Sequence, residues 1–133
     1  MQVTGMLHGA RLLQLVGFPT AEVLGPDASE DEIKALIERH GQAFVKPVFK
    51  GGVGKKGKAG LLGRAKDLKT ALAEKERLYF VEHQHGNQHA KANGVTFEGG
   101  VPAEHEIYFS LTDSTEYRAP TMTLTHHGGM DIE

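Results

Sequence analysis

The sequence predicts an α+β (mixed α/β) domain in which helices lead and antiparallel strands follow. Apolar residues recur at helical spacing through the first forty residues and again over 65–77, whereas beyond Gly94 the period changes to two. Size sets the scale: 133 residues support one domain around one core. A chain with 39% hydrophobic and 24% charged residues has the make-up of a globular protein rather than a disordered one.

Leu7, Leu12, Leu13, Leu15 and Val16 form the apolar side of a first amphipathic helix, which Gly17 and Pro19 end. Residues 21–24 are a brief extended piece, followed by a Gly25-Pro26-Asp27 turn. Ser29 and Glu32 have capping-box spacing for a second helix that runs to about His40, with Ile33, Leu36 and Ile37 on one face. Gly41 stops it in the left-handed conformation that glycine tolerates. Residues 43–49 read as a strand in which Pro47 marks an edge or an irregularity.

A glycine- and lysine-rich loop over 50–58 comes next, and 59–63 reads as the returning strand. Residues 65–77 predict another helix, with Leu68, Leu72 and Ala71 inward, and 78–81 a short strand. Residues 83–94 are polar, histidine-rich and loop-like. Three strands follow at 95–98, 105–112 and 118–125, the last two joined by a turn over 113–116. The sequence stops straight after a strand, and the expectation is of a truncated fold.

Composition narrows the function. A net charge of −2 argues against a nucleic-acid partner, since such proteins carry a basic surplus. The positive charge is local instead: residues 46–58 hold five lysines and no acid, which points to a small anionic ligand. The chain has no cysteine, so thiolate catalysis, disulfides and cysteine-ligated zinc are excluded. No signal peptide is apparent at the start, and no apolar run reaches membrane-spanning length. The expectation is a cytoplasmic protein with no membrane contact.

The strongest chemical feature is Gly51-Gly52-Val53-Gly54-Lys55-Lys56-Gly57-Lys58-Ala59-Gly60. Glycines let successive backbone N–H groups point at one anion, and lysines add charge. A flexible solvated tip explains the same composition about equally well. Residues 52–58 match most of a P-loop, but Ala59 stands where a hydroxyl residue would hold magnesium, and Gly60 and Gly63 make a following helix poor. The P-loop reading is rejected.

Lys46, in an apolar strand, either faces solvent or aims its charge into a cleft, and its place just before the loop favours the cleft. Glu98 precedes the hinge-like pair Gly99-Gly100, and Glu106 opens a strand, although surface placement is the default for glutamate. His83, His85 and His89 with Glu82 suggest a metal cluster, yet polar decoration is the stronger reading. His126-His127 carries no catalytic weight.

Together these pieces resemble the amino-terminal lobe of an ATP-grasp domain, specifically that of the succinate–CoA ligase β subunit and ATP-citrate lyase family. Phe44-Val45-Lys46-Pro47 resembles the family's strand with its nucleotide lysine, and Gly57-Lys58-Ala59-Gly60-Leu61 its Gly-Lys-x-Gly loop. Phe97-Glu98-Gly99-Gly100, then Glu106-Ile107-Tyr108, resemble its Glu-Ala-Ala hinge and Glu-Leu-Tyr strand. His127-Gly128-Gly129-Met130-Asp131-Ile132-Glu133 resembles its Glu-Gly-Gly-Val-Glu-Ile-Glu segment, and Gly17-Phe18-Pro19-Thr20 the end of its first helix. Four stretches in register cover nearly the whole chain, 1–133, as a partial nucleotide-binding domain. Two features depart from the succinate–CoA ligase pattern: a slightly longer loop between Lys46 and Gly57, and a Val-Lys-Pro wording closer to ATP-citrate lyase.

The resemblance implies that Lys46 contacts the α- or β-phosphate of ATP and that Gly57, Lys58 and Ala59 cover the phosphates. It implies Glu98 at the adenine or ribose hinge, the Val101 backbone nearby, and Glu106 at the ribose. The Mg2+ ligands, the phosphohistidine and the CoA site are expected beyond this chain, in the remainder of the ligase or its CoA-binding subunit; neither His126 nor His127 matches the phosphohistidine. An organic acid and CoA are then substrates of the whole enzyme, this piece alone is inactive, and a homo-oligomer is possible. Two rivals remain: a non-catalytic ATP-grasp-like binding module, and a different ATP-grasp carboxylate ligase.

Overall fold

A computed structural model describes residues 5–50 and 59–128. The chain falls into two compact units, Met1–Val101 and Pro102–Glu133.

The first unit opens with α1 (Gly5–Leu15), then β1 (Val23–Leu24) and α2 (Glu30–His40). Both ends of α2 follow its sequence. The Ser29 hydroxyl accepts from the Glu32 N–H (3.3 Å), and the Glu32 carboxylate accepts from the Ser29 N–H (2.8 Å), so two orphan donors are satisfied reciprocally. Gly41 closes the helix at φ 73°, a left-handed conformation that costs a Cβ-bearing residue strain. Next come β2 (Ala43–Phe49), β3 (Gly63–Ala65), α3 (Leu68–Leu78), β4 (Glu82–His85) and β5 (Gln88–Gly99).

The sheet runs β1-β5-β2-β3, and every pairing is antiparallel. Strand β5 is long enough to serve three partners: its first residues pair with β4, and the rest with β2 and β1. Alternation along β2 buries Ala43, Val45, Pro47 and Phe49 and leaves Phe44, Lys46 and Val48 half-buried. On the buried side Val45 faces Phe97 and Ala43 faces Gly99. Ile33, Leu36 and Ile37 of α2, with Ala71 and Leu78 of α3, complete this core. Burying a side chain such as Phe97, Leu36 or Leu78 contributes about 1.5–3 kcal/mol, which makes this cluster the main support of the unit.

Pro47 is an irregularity rather than an edge. Strand β2 lies inside the sheet, but β3 accompanies it only as far as Val45, and the register with β5 shifts between Pro47 and Phe49.

In the first unit four sequence readings need correction. The returning strand is Gly63–Ala65 and not 59–63, because Gly60 sits in a turn at φ 72° and delays pairing. Helix α3 starts only after Asp67, whose carboxylate accepts from the Thr70 N–H (2.7 Å). Leu78 belongs to that helix and not to a strand: it keeps the helical face of Ala71 and is fully buried. The supposed loop over 83–94 is the β4–β5 hairpin, turned by Gly86 at φ 58° with Asn87. Its strand residues are polar and mostly exposed, so no apolar alternation marks them.

The second unit is a hairpin of β6 (Tyr108–Ser114) and β7 (Ala119–Thr125), paired from Tyr108↔Thr125 to Ser114↔Ala119. Its turn spans 115–118, later than the expected 113–116, and Arg118 adopts φ 51° there. The Ser114 hydroxyl accepts from the Tyr117 N–H and steadies the turn (3.2 Å). The architecture is thus mixed α+β with antiparallel sheets and helices, as the sequence predicts, and is consistent with a partial ATP-grasp lobe.

Candidate functional site

Strand periodicity brings Lys46 and Glu98 together. Lys46 lies opposite Thr96 and Glu98 opposite Phe44, so the two charged residues are diagonal neighbours on the sheet face away from the core. Their side chains close an ion pair. Lys46 keeps 33% of its side-chain surface exposed and Glu98 only 16%. The lysine therefore does not hang free in solvent. A carboxylate holds its ammonium against the sheet with one side open.

The Gly/Lys segment follows β2 in the chain. Its two ends are fixed by the fold: Phe49 and Leu61 are buried, and the Arg77 guanidinium donates to the Gly60 carbonyl (3.1 Å). Arg77 is in turn held by Glu74, whose side chain lies against the α-carbon of Gly63. Gly57 and Lys58 lie outside the described residues, as does the expected mobility of the segment that contains them. Ala59 is exposed in the turn before Gly60.

The other side of the site is the exit of β5. The Gly99 N–H donates to the Glu22 carbonyl (2.9 Å), and the Gly100 N–H donates to the Gln42 carbonyl (3.0 Å). Both glycines are buried and neither has positive φ, so the pair is pinned rather than hinge-like. Val101 follows, exposed.

Sequence reasoning missed the residues that pin it. The Glu22 carboxylate accepts from Arg39 Nε (3.2 Å) and pairs with His40 Nε2 (2.8 Å). The hydrogen bond from Arg39 and then that from His40 hold its pKa below the ordinary glutamate value. Gln42 Oε1 accepts from Arg64 Nε (2.6 Å). The one available signal was the run Arg39-His40-Gly41-Gln42, a helix end rich in polar side chains.

Glu106 belongs to the second unit, where it lines a cleft of about 490 Å3 with His105, His126 and His127. Gly128 approaches its side chain so closely that a Cβ there would come within 2.6 Å of Glu106 Cβ. The rings of His126 and His127 are 4.0 Å apart. In the first unit His89 reaches Glu82 at 3.5 Å, but among the described residues no three His, Asp or Glu side chains form a group fit for a metal ion. No helix of the described residues is long and apolar enough to cross a membrane.

No family model matches the chain. It is 27% identical over 124 residues to the β subunit of the ADP-forming succinate–CoA ligase of Rickettsia typhi, a match that covers 92% of this chain and 32% of that protein. The Rickettsia bellii subunit of the same name gives 27% identity with the same coverage. That of a Caulobacter species gives 32% identity over 102 residues, or 76% of this chain and 25% of the relative. The chain thus spans about a third or less of the length of these curated relatives. Over nearly its whole length, as its motifs imply, it is similar to an ATP-grasp region of the succinate–CoA ligase β-subunit family.

Proposed function

We propose that this chain supplies one wall of the nucleotide cleft of an ATP-dependent acid–CoA ligase. The observation that carries the reading is the Lys46–Glu98 pair: a lysine held half-exposed on a sheet face, on the strand that precedes the glycine- and lysine-rich segment in the sequence. In this reading the Lys46 ammonium donates to an α- or β-phosphate oxygen of ATP. Gly57, Lys58 and Ala59 offer backbone N–H groups and a mobile charge to the phosphates. Glu98 and the Val101 backbone meet the base and ribose, and the ribose role implied for Glu106 belongs to the same proposal. Phosphoryl transfer asks chiefly for positioning and charge neutralisation, which suits this residue set.

In the whole enzyme, ATP and a carboxylic acid such as succinate, malate or citrate give an acyl phosphate. The phosphoryl group passes from ATP to a histidine with release of ADP, and from that phosphohistidine to the carboxylate; the CoA thiol then displaces inorganic phosphate from the acyl phosphate to give the thioester. The Mg2+ that accompanies the nucleotide takes its protein ligands from the remainder of the ligase in this reading. The partner is the remainder of the ligase or its CoA-binding subunit, and the compartment is the cytoplasm.

Calorimetric titration of ADP and ATP tests the reading. A charge-assisted hydrogen bond contributes about 1.5–3 kcal/mol, so Lys46→Ala is expected to weaken binding about 10- to 150-fold. Equal affinity for the wild type and the variant would overturn it.

A further inference from the structure

Two side chains at the end of α2 occupy the space that alanine would need at the exit of β5. A Cβ built on Gly99 would come within 2.5 Å of the His40 ring, and one built on Gly100 within 2.6 Å of Gln42 Cγ. Neither glycine needs its freedom of φ, so close approach is the physical reason for glycine at both places. His40 and Gln42 are themselves braced. His40 Nε2 pairs with Glu22 (2.8 Å), and Gln42 Oε1 accepts from Arg64 (2.6 Å). Glu22 and Gln42 also hold the glycines through the backbone, since their carbonyls accept the N–H groups of Gly99 and Gly100. Gly41, left-handed between them, turns His40 and Gln42 toward the strand.

We propose that His40 and Gln42 are positioning residues of the nucleotide site, which clamp Gly99-Gly100 and thereby set the Glu98 carboxylate and the Val101 peptide where the nucleoside is read. This rests on the nucleotide reading above and adds to it a specific division of labour. The clamp governs the base and ribose end, while Lys46 and the Gly/Lys segment govern the phosphates. Glu98 precedes the clamped pair and Val101 follows it directly, so a displacement of the glycine backbone moves both. Misplacement by about 1 Å can cost up to about 100-fold where a bound group must be oriented.

The test compares ADP with inorganic pyrophosphate by calorimetry on four proteins: wild type, Gly100→Ala, Gln42→Ala and the double variant. Gly100→Ala is expected to raise the Kd for ADP about tenfold or more and to leave that for pyrophosphate unchanged. In the double variant the new methyl group fills the space left by Gln42, and the ADP affinity is expected to recover most of the loss. Should Gly100→Ala not fold, Gln42→Ala alone serves: it empties the clamp, and weaker ADP binding with unchanged pyrophosphate binding is expected. Wild type that binds neither ligand overturns the nucleotide reading, and this inference with it. Wild type that binds ADP, with both single variants binding it equally, overturns the clamp alone. Loss of both ligands in a folded Gly100→Ala, without recovery in the double variant, likewise overturns the clamp.

Discussion

Lys46 and Glu98 sit on adjacent antiparallel strands two positions out of register, and their side chains meet in an ion pair that only the lysine exposes appreciably to water. Glu98 is the more enclosed partner. Loss of Lys46 therefore strands a carboxylate in a poor dielectric environment, whereas loss of Glu98 leaves an ammonium that solvent reaches.

The two single substitutions are accordingly unequal. Lys46→Met is expected to lower stability by about 1–3 kcal/mol, between the values for exposed and buried pairs. Glu98→Gln is expected to cost less, and the double variant to regain most of the Lys46→Met loss. Urea denaturation of the four proteins checks this, and equal penalties for both single variants would refute the asymmetry. Glu98→Gln is also expected to alter discrimination between ADP and GDP while pyrophosphate affinity is kept.

Helix α2 depends on its reciprocal cap. Ser29→Ala removes the acceptor for the Glu32 N–H and is expected to cost about 1 kcal/mol, or roughly 4–8 °C in Tm for a unit of this size. Ser29→Thr is expected to retain most of that stability. Differential scanning fluorimetry gives the comparison, and an unshifted Ser29→Ala midpoint would show that the cap is dispensable.

Acid should release the bracing at Glu22. Its folded-state pKa lies below the ordinary value, chiefly through Arg39 and then His40, so the unfolded chain binds more protons as pH falls through that range. The stability it confers is complete above about pH 4.5 and is lost as pH drops through the lower folded-state value. Glu22→Gln is expected to flatten the acid limb of a stability–pH curve. Superimposable curves for wild type and Glu22→Gln would remove Glu22 from the account.

Phe109 pairs with Leu124, and Leu111 with Met122, so these four share one face of the second unit, each 60–66% exposed. Ile107 continues the same alternation and is also exposed. A two-stranded hairpin with an uncovered apolar face is marginal alone, and concentration-dependent self-association is expected. Light scattering after size exclusion should show it, with Phe109→Ser/Met122→Ser shifted to monomer. A wild type that stays monomeric at the highest concentrations would argue for a complete stand-alone module.

Local chemistry made much of the fold legible. The Ser29/Glu32 spacing, Gly41 and the apolar faces of α2 and α3 have near-neighbour causes, and the structure repeats them almost residue for residue. The β4–β5 hairpin was illegible because Gln84, Gln88, His89 and Lys91 give no apolar rhythm; its stability comes from backbone pairing and from β5 continuing into the main sheet. Strand β3 was misplaced because Gly63-Arg64-Ala65 has little strand propensity of its own and is held by α3 and β2. At the site, Lys46 and Glu98 were visible as residue types, but their meeting across 52 residues is a matter of register. The contacts of Glu22, Arg39, His40 and Gln42 likewise join residues far apart in the chain, and the polar run Arg39-His40-Gly41-Gln42 was their one trace in the sequence.

The anchoring of the Gly/Lys segment has a consequence for chain length. Buried Phe49 at one end, with buried Leu61 and the Arg77–Gly60 hydrogen bond at the other, fix the two ends independently of what runs between them. For a flexible connector between fixed ends, each doubling of length costs only about 0.6 kcal/mol of closure entropy. Peptide inserted between these two anchors, or a grafted recognition sequence, should therefore carry little thermodynamic cost while the sheet keeps its register.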